Sequence, residues 1–284
     1  VIKLPLWALR ALWIVLPLAL GPSLGDALDT TSEAVGLVVE ILLWLGWAVG
    51  LVALLVPRTV GLTTIRILAA LVPVAAVWSV GAGGVEGWDL VTVAVASALL
   101  VLALTPQVGQ RFVDGSSYGP ERRLLLRPPA ALLFGPVELA TAVVGAGLVT
   151  GPLLLAAQRW LAGAVMVVVG PVIAAGAARS LHGLSRRWLV LVPGGVVVHD
   201  PLTLTDPVLL PGDSLVTVAP ALADTTALDL TQRATGLAIE IRMTEPVQLG
   251  LARPRPEGET VRSAAMIITP SRPAELLTEV GARF

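Results

Sequence analysis

The chain has no cysteine and no asparagine, a single lysine (Lys3), a single tyrosine (Tyr118) and two histidines (His182 and His199). Without cysteine there are no disulfides, thiolate nucleophiles or thiolate metal ligands. With two histidines a histidine-rich metal centre is excluded as well. Charge is also scarce: 14% of residues are Asp, Glu, Lys or Arg, against about 25% in ordinary soluble domains. No HExxH, GxxxxGK[ST] or EF-hand pattern occurs, and no Gly-x-Ser-x-Gly elbow is set between a strand and a helix. These absences leave no recognisable catalyst, cofactor or metal site. Net charge is −1, split as +1 over residues 1–180 and −2 over 181–284, and neither part is basic enough for a nucleic-acid binder.

What is present is apolar length. Hydrophobic residues make up 55% of the 284, and mean hydropathy is +0.85. A bilayer core about 30 Å thick needs roughly 20 helical residues, and six segments satisfy this, at about 4–22, 34–56, 60–80, 88–105, 130–150 and 160–180. The first carries Lys3 and Arg10 around an apolar stretch, as a signal peptide does, but 21–26 offers no clean cleavage site. The links 22–33 and 81–89 hold Asp26, Asp29, Glu33, Glu86 and Asp89 and no basic residue, and 151–159 holds only Arg159. On the other side fall Lys3, Arg58, Arg111, Arg122, Arg123, Arg127, Arg179, Arg186 and Arg187. The positive-inside bias then predicts six crossings with both termini cytoplasmic. It also brings Trp78, Trp88 and Trp160 to the outer interface, while Trp44 and Trp47 fall mid-segment and are expected between helices. Richness in Ala, Val, Leu, Gly and Arg points to a high-GC bacterial source, hence to an inner membrane.

Small residues mark expected close contacts between helices: Gly163, Gly170, Ala174 and Ala177 on the last segment, and Thr141, Gly145, Ala142 and Ala146 on the fifth. Four ionisable residues fall inside apolar segments: Arg10, Glu40, Arg66 and Glu138. A charge at mid-bilayer costs about 2.5–3.5 kcal/mol on insertion scales. By helical rise, Arg10, Arg66 and Glu138 share an inner-half layer, and a Glu138–Arg66 pair is expected, with Gly135-Pro136 breaking the helix beside it. Glu40 lies towards the outer end, isolated from them. The long link 106–129, PQVGQRFVDGSSYGPERRLLLRPP, reads as a loop along the inner membrane surface or one docked on the C-terminal part. Arg122, Arg123, Arg127, Arg186, Arg187 and Trp188 are the expected membrane-surface contacts.

After residue 180 the pattern changes to short Val/Leu runs broken by Pro-Gly and Asp-Pro. Leu189–Val192 and Val196–His199 read as a hairpin across Pro193-Gly194-Gly195. Further strands are expected at 214–218, 226–230, 236–243, 247–251 and 262–269, with a loop at 253–258 and a closing helix capped by Ser271. The string RRWLVLVPGGVVVHDPLTLTDPVLL, with the later strands and the ITPSRPAELLTEV helix, resembles bacterial PH-like domains appended to multi-pass membrane proteins of uncharacterised actinobacterial families. That resemblance covers about 181–284. It implies a bent sandwich plugged at one end by the terminal helix, and a binding or assembly role without catalysis. The expected whole is a six-helix membrane domain (1–180) and a cytoplasmic PH-like domain (181–284). It would act as an anchor or scaffold for a protein partner, or alternatively as a small carrier using Arg10, Arg66 and Glu138. No cofactor is expected.

Overall fold

The computed structural model describes residues 4–83, 87–252 and 259–284. Lys3, the 84–86 part of one link (with Glu86) and the 253–258 loop lie outside the described residues. Along the chain come α1 (Leu4–Asp29), α2 (Glu33–Leu55), α3 (Thr59–Gly83), α4 (Asp89–Leu104) and α5 (Pro106–Asp114). Then follow β1 (Arg122–Leu125), a single turn α6 (Ala130–Leu133), α7 (Pro136–Ala156) and α8 (Trp160–Ser185). The remainder is β2 (Trp188–Val192), β3 (Gly195–His199), β4 (Val208–Pro211), β5 (Leu215–Pro220), β6 (Leu228–Asp229), β7 (Ile239–Leu251), β8 (Glu259–Ile268) and α9 (Pro273–Gly281).

Two compact units result: 1–109 with 138–181, and 110–137 with 182–284. Five helices of the first unit (α1, α2, α3, α7 and α8) are long and apolar enough to cross a bilayer; a sixth is obtained if α4 and α5, bent by 54° at their junction, count as one span. The apolar segments of the sequence thus become helices, several extended at their ends. In α1 the helix runs on through Pro17 and Pro22 to Asp29, as prolines in apolar helices do when neighbours satisfy the freed carbonyls.

Within the helical unit the contacts are specific. The indole Nε1 of Trp13 donates to the Trp47 carbonyl (2.9 Å), and Trp47 Nε1 donates back to the Trp13 carbonyl (2.8 Å), so α1 and α2 are joined by two reciprocal bonds. Trp47 is therefore packed between helices as expected, whereas Trp44 is 49% exposed. Between α7 and α8, Gly147 and Gly151 face Gly170, Ala174 and Val167 at backbone distance, and Gly163 faces Leu155. Of the row expected on α8, Gly163, Gly170 and Ala174 make these contacts. On α7 the contact row is instead Gly147 and Gly151, because Gly145 is turned towards Leu71 of α3.

The second unit holds two four-stranded sheets, ordered β1-β2-β3-β4 and β5-β7-β8-β6. All pairings are antiparallel except β6 with β8. Alternation in β2 and β3 sends Leu189, Leu191, Val196 and Val198 inward. There they pack with Leu124, Leu204, Leu210, Ile239, Ile241, Met243, Leu249, Met266 and Ile268. Leu276 and Val280 of α9 join the same core. The 236–243 and 247–251 runs form one strand, β7, whose register against β8 shifts between Arg242 and Val247, where Pro246 cannot donate to the ladder.

The link 106–129 is not a loop throughout. Its Arg122–Leu125 stretch pairs with β2, placing β1 at the edge of the first sheet. The β unit therefore does not begin at 181; the α7–α8 hairpin is inserted in the chain between its first and second strands.

Candidate functional site

The distant β1 segment is held in the β unit by side-chain and backbone bonds from several elements. The Gln110 side chain spans β1, its Nε2 donating to the Arg123 carbonyl and its Oε1 accepting from Leu125 N (3.0 Å). Asp114 Oδ1 accepts from Arg123 N (3.1 Å), and its Oδ2 pairs with Arg122. The Arg122 guanidinium also reaches Glu275 (3.2 Å) and Glu279 (3.7 Å) of α9. Past β1, Ser271 N donates to the Leu125 carbonyl and Arg127 N to the Thr269 carbonyl, both at 2.8 Å. Arg122, half-buried among three carboxylates, contributes modestly to stability because such pairs stay partly screened.

Beneath this lies a buried ion pair. Arg187 Nε and Nη2 donate to the two carboxylate oxygens of Asp200 (2.8 and 2.7 Å), with both side chains 1% exposed. The remaining Arg187 nitrogen, Nη1, donates to the Arg127 carbonyl (2.6 Å). Such fork-to-fork geometry is the strong form of the pair. It joins the start of β2, the end of β3 and the segment after β1. Arg187 is thus a correction to the expected membrane-surface set: its cation is inside the β unit.

Arg122, Arg123, Arg127 and Trp188 of that set also have contacts there. Arg127 is half-buried and packs against Gly236, whose φ of +115° favours glycine. Arg123 pairs with Glu121 (3.6 Å) and lies 5.7 Å over the Trp188 ring. Trp188 in turn stacks on His199 at 4.7 Å. Only Arg186 is exposed. Burial, then the cations of Arg186 and Arg123, hold the His199 imidazole below the usual histidine range against the opposing pull of Asp200. Glu240 is depressed by its hydrogen bond from Thr225 (2.7 Å) and then by those from Arg242. The expected cap of α9 is displaced by one residue: Arg272 occupies the N-cap position, and Ser271 Oγ is buried without a hydrogen-bond partner.

Comparison with protein-family models, with curated proteins and with solved structures gives no match to this chain.

In the helical unit the four expected ionisable residues go to different places. Arg10 donates through Nε (3.0 Å) and Nη2 (2.7 Å) to the carbonyl of Leu54. That carbonyl is among those left open at the C-terminal end of α2, where a cation also suits the helix dipole. The Trp7 ring lies 4.9 Å from the same guanidinium. Arg66 has a buried Nε with no hydrogen-bond partner, so no bond to Glu138 is made through that atom. Glu138 is not deep in a continuous helix. The chain breaks at Gly135 (φ +106°) and α7 starts at Pro136, which leaves Glu138 exposed in the first turn, where an acid favours the helix N-terminus. Glu40 is exposed on α2 amid Leu37, Ile41, Trp44 and Leu45, with which it lines a shallow groove.

A buried polar group not singled out from the sequence lies between α1 and α4. Ser23 Oγ donates to Asp89 Oδ1 (2.7 Å) and lies 3.0 Å from Thr92 Oγ1, which bonds the Ala19 carbonyl (2.8 Å). Trp88 Nε1 donates to the same carbonyl (3.0 Å). Gly21-Pro22-Ser23-Leu24-Gly25 spells G-x-S-x-G, but Ser23 is mid-helix and buried, not on the exposed strand-to-helix elbow that presents a nucleophile. Its bonds are those of a helix-packing residue. Among the described residues no three His, Asp or Glu side chains gather as a metal-binding group.

Proposed function

We propose that this chain is a non-catalytic integral membrane anchor of the bacterial inner membrane. It crosses the bilayer six times with both termini inside and presents a cytoplasmic PH-like domain to a protein partner. The observation that carries the reading is the interruption of the β unit by the α7–α8 hairpin. A domain whose first strand precedes two apolar helices and whose second follows them is covalently tied to those helices at both sides. Gln110, Arg122 and Arg187 each spend side-chain bonds on holding that first strand. Such stitching keeps the strand that precedes the two helices in one sheet with the strand that follows them.

The PH-like reading is supported by two sheets sharing one core, with Leu276 and Val280 of the terminal helix inside it. A protein partner is favoured by exposed apolar residues at the edge strand β5 and just past it: Val216 in β5, Leu222 two residues beyond its end, and Leu237 next to Ala238, whose carbonyl accepts from Ala221 N. A carrier built on Arg10, Arg66 and Glu138 has less support, since Arg10 is committed to Leu54.

The absence of cysteine makes the test direct. A Leu222→Cys variant should resist an impermeant maleimide in intact spheroplasts and react after permeabilisation; labelling of intact cells removes the topology. A photo-crosslinking residue at 222 or 237 should give one discrete protein adduct in native membranes, lost when Val216 is changed to Lys. Solute flux in proteoliposomes that Glu138→Gln abolishes would replace the scaffold with a carrier.

A further inference from the structure

Glu40 is an acid on an apolar, exposed helix face that the contacts of the helical unit do not account for. It sits on the outward face of α2, seven residues after Glu33, which is about 10 Å along the axis. The residues around it are membrane-type and exposed: Leu37 (58%), Ile41 (49%), Trp44 (49%) and Leu45 (57%). A glutamate stem is too short to carry its carboxylate from that depth to water, unlike the long basic side chains that snorkel.

We propose that this face of α2 docks a transmembrane helix of a different protein, and that a Lys or Arg of that helix pairs with Glu40. Charge decides between the available occupants. A second copy in parallel orientation would bring Glu40 against Glu40 at one depth, acid to acid. Among the described residues, the cations of a second copy do not lie at this depth: Arg10 is held on Leu54, fourteen residues further along α2, or about 21 Å away, and Arg159 precedes the first residue of α8, at the end of that helix, whereas Glu40 is seven residues into α2. Bare lipid leaves the carboxyl without a donor. A basic residue on an apolar helix supplies both the opposite charge and a surface for Leu37, Ile41 and Leu45, in the way polar side chains join helices in membranes. This inference rests on α2 crossing a bilayer, and it extends the scaffold reading from a soluble partner to one within the membrane. Because it concerns α2 alone, it can fail while crosslinking at Leu222 succeeds, and the reverse.

The full chain carrying Thr30→Cys, labelled with a donor fluorophore and reconstituted into liposomes, reports the docking. The probe is a synthetic 21-residue apolar transmembrane peptide with one Lys at the depth of Glu40 and an acceptor dye. Versions with Leu or Glu in place of the Lys serve as comparisons. The Lys peptide should associate at least tenfold more tightly than the Leu peptide, and the Glu peptide no better than Leu. Glu40→Gln should bring the Lys peptide down to the level of the Leu peptide. Equal association of the Lys and Leu peptides, no association of either, or an unchanged result in Glu40→Gln overturns the proposal. So does energy transfer between donor- and acceptor-labelled copies that Glu40→Leu abolishes, since the face would then be covered by its own kind.

Discussion

Arg186 and Arg187 are neighbours of identical chemistry, yet one is exposed and the other is 1% exposed and forked onto Asp200. Replacing Arg187 with Met leaves the Asp200 carboxylate buried without its cation and the Arg127 carbonyl without its donor. Breaking a buried pair from one side costs about 3–5 kcal/mol. At about 1.4 kcal/mol per factor of ten, that corresponds to roughly two to three and a half powers of ten in the opening equilibrium of the β unit. Arg186→Met removes an exposed charge and should stay within about 0.5 kcal/mol. Hydrogen exchange on the full chain in nanodiscs resolves the two, because it reads opening locally without requiring the helices to unfold. Amides of β1, β2 and β3 should exchange faster by those factors in Arg187→Met and by no more than about twofold in Arg186→Met. The double change Arg187→Met with Asp200→Leu should recover most of the loss, since a buried pair replaced by apolar groups is often near neutral. It should fall short by about 1–2 kcal/mol, because Arg127 O and Leu202 N, which bonds Asp200 Oδ1 at 3.1 Å, lose partners. Equal protection in Arg186→Met and Arg187→Met would refute the placement of Arg187 inside the domain.

Three further outcomes follow. A Cβ on Gly147 would lie 2.6 Å from the Gly170 carbonyl oxygen and 3.0 Å from Ala174 Cβ, whereas one on Gly176 meets nothing within 4 Å; Gly147→Ala should therefore cost about 1–3 kcal/mol by overpacking, read as a lower detergent melting temperature, with Gly176→Ala unchanged or higher. Gln110→Leu removes two bonds to β1 and should cost about 1–3 kcal/mol, seen as faster exchange confined to β1 and its pairing with β2. His199 binds its proton less tightly folded than unfolded, so stability is full above about pH 6.5 and declines as pH falls through and below that value; His199→Gln should flatten the slope of stability between about pH 5 and 7, and an unchanged slope would show that the imidazole does not titrate differently in the two states.

The helices were legible because apolar length is a property of consecutive residues, and nothing distant is needed to read it. Their ends were less so. The α1 helix continues through Gly21-Pro22, where soluble-protein rules would stop it, because Ser23 and Ala19 have bonding partners in α4 that only folding supplies. The break before α7 was legible: Gly135-Pro136 marks it in the text, and a positive φ at Gly135 realises it. A helix starting at Pro136 moves Glu138 from mid-span to the first turn. The strand β1 was hidden for a different reason. Its pairing partner begins 63 residues after it ends, and strand formation depends on the neighbour it packs against more than on its own residues. Read alone, Arg-Arg-Leu-Leu-Leu-Arg is equally good as a basic stretch at a membrane surface.

The buried pair, by contrast, follows from strand alternation alone. Side chains on a strand face opposite sides in turn. If Leu189 and Leu191 face the core, Arg187 faces it too, and Arg186 and Trp188 face away. If Val196 and Val198 face the core, so does Asp200. The hairpin turn at 193–194 then fixes the register, pairing Trp188 with His199, so the next position outward sets Arg187 opposite Asp200. Two inward rows that each end in a charge, of opposite sign and at matching register, are what a buried ion pair looks like in sequence. A single basic patch at Arg186-Arg187 is incompatible with the period of two that a strand over 188–192 imposes. For a cation at the first residue before a strand, strand parity therefore decides between core and surface before composition does. In this chain it separates the arginine that holds the β unit together from the one left exposed.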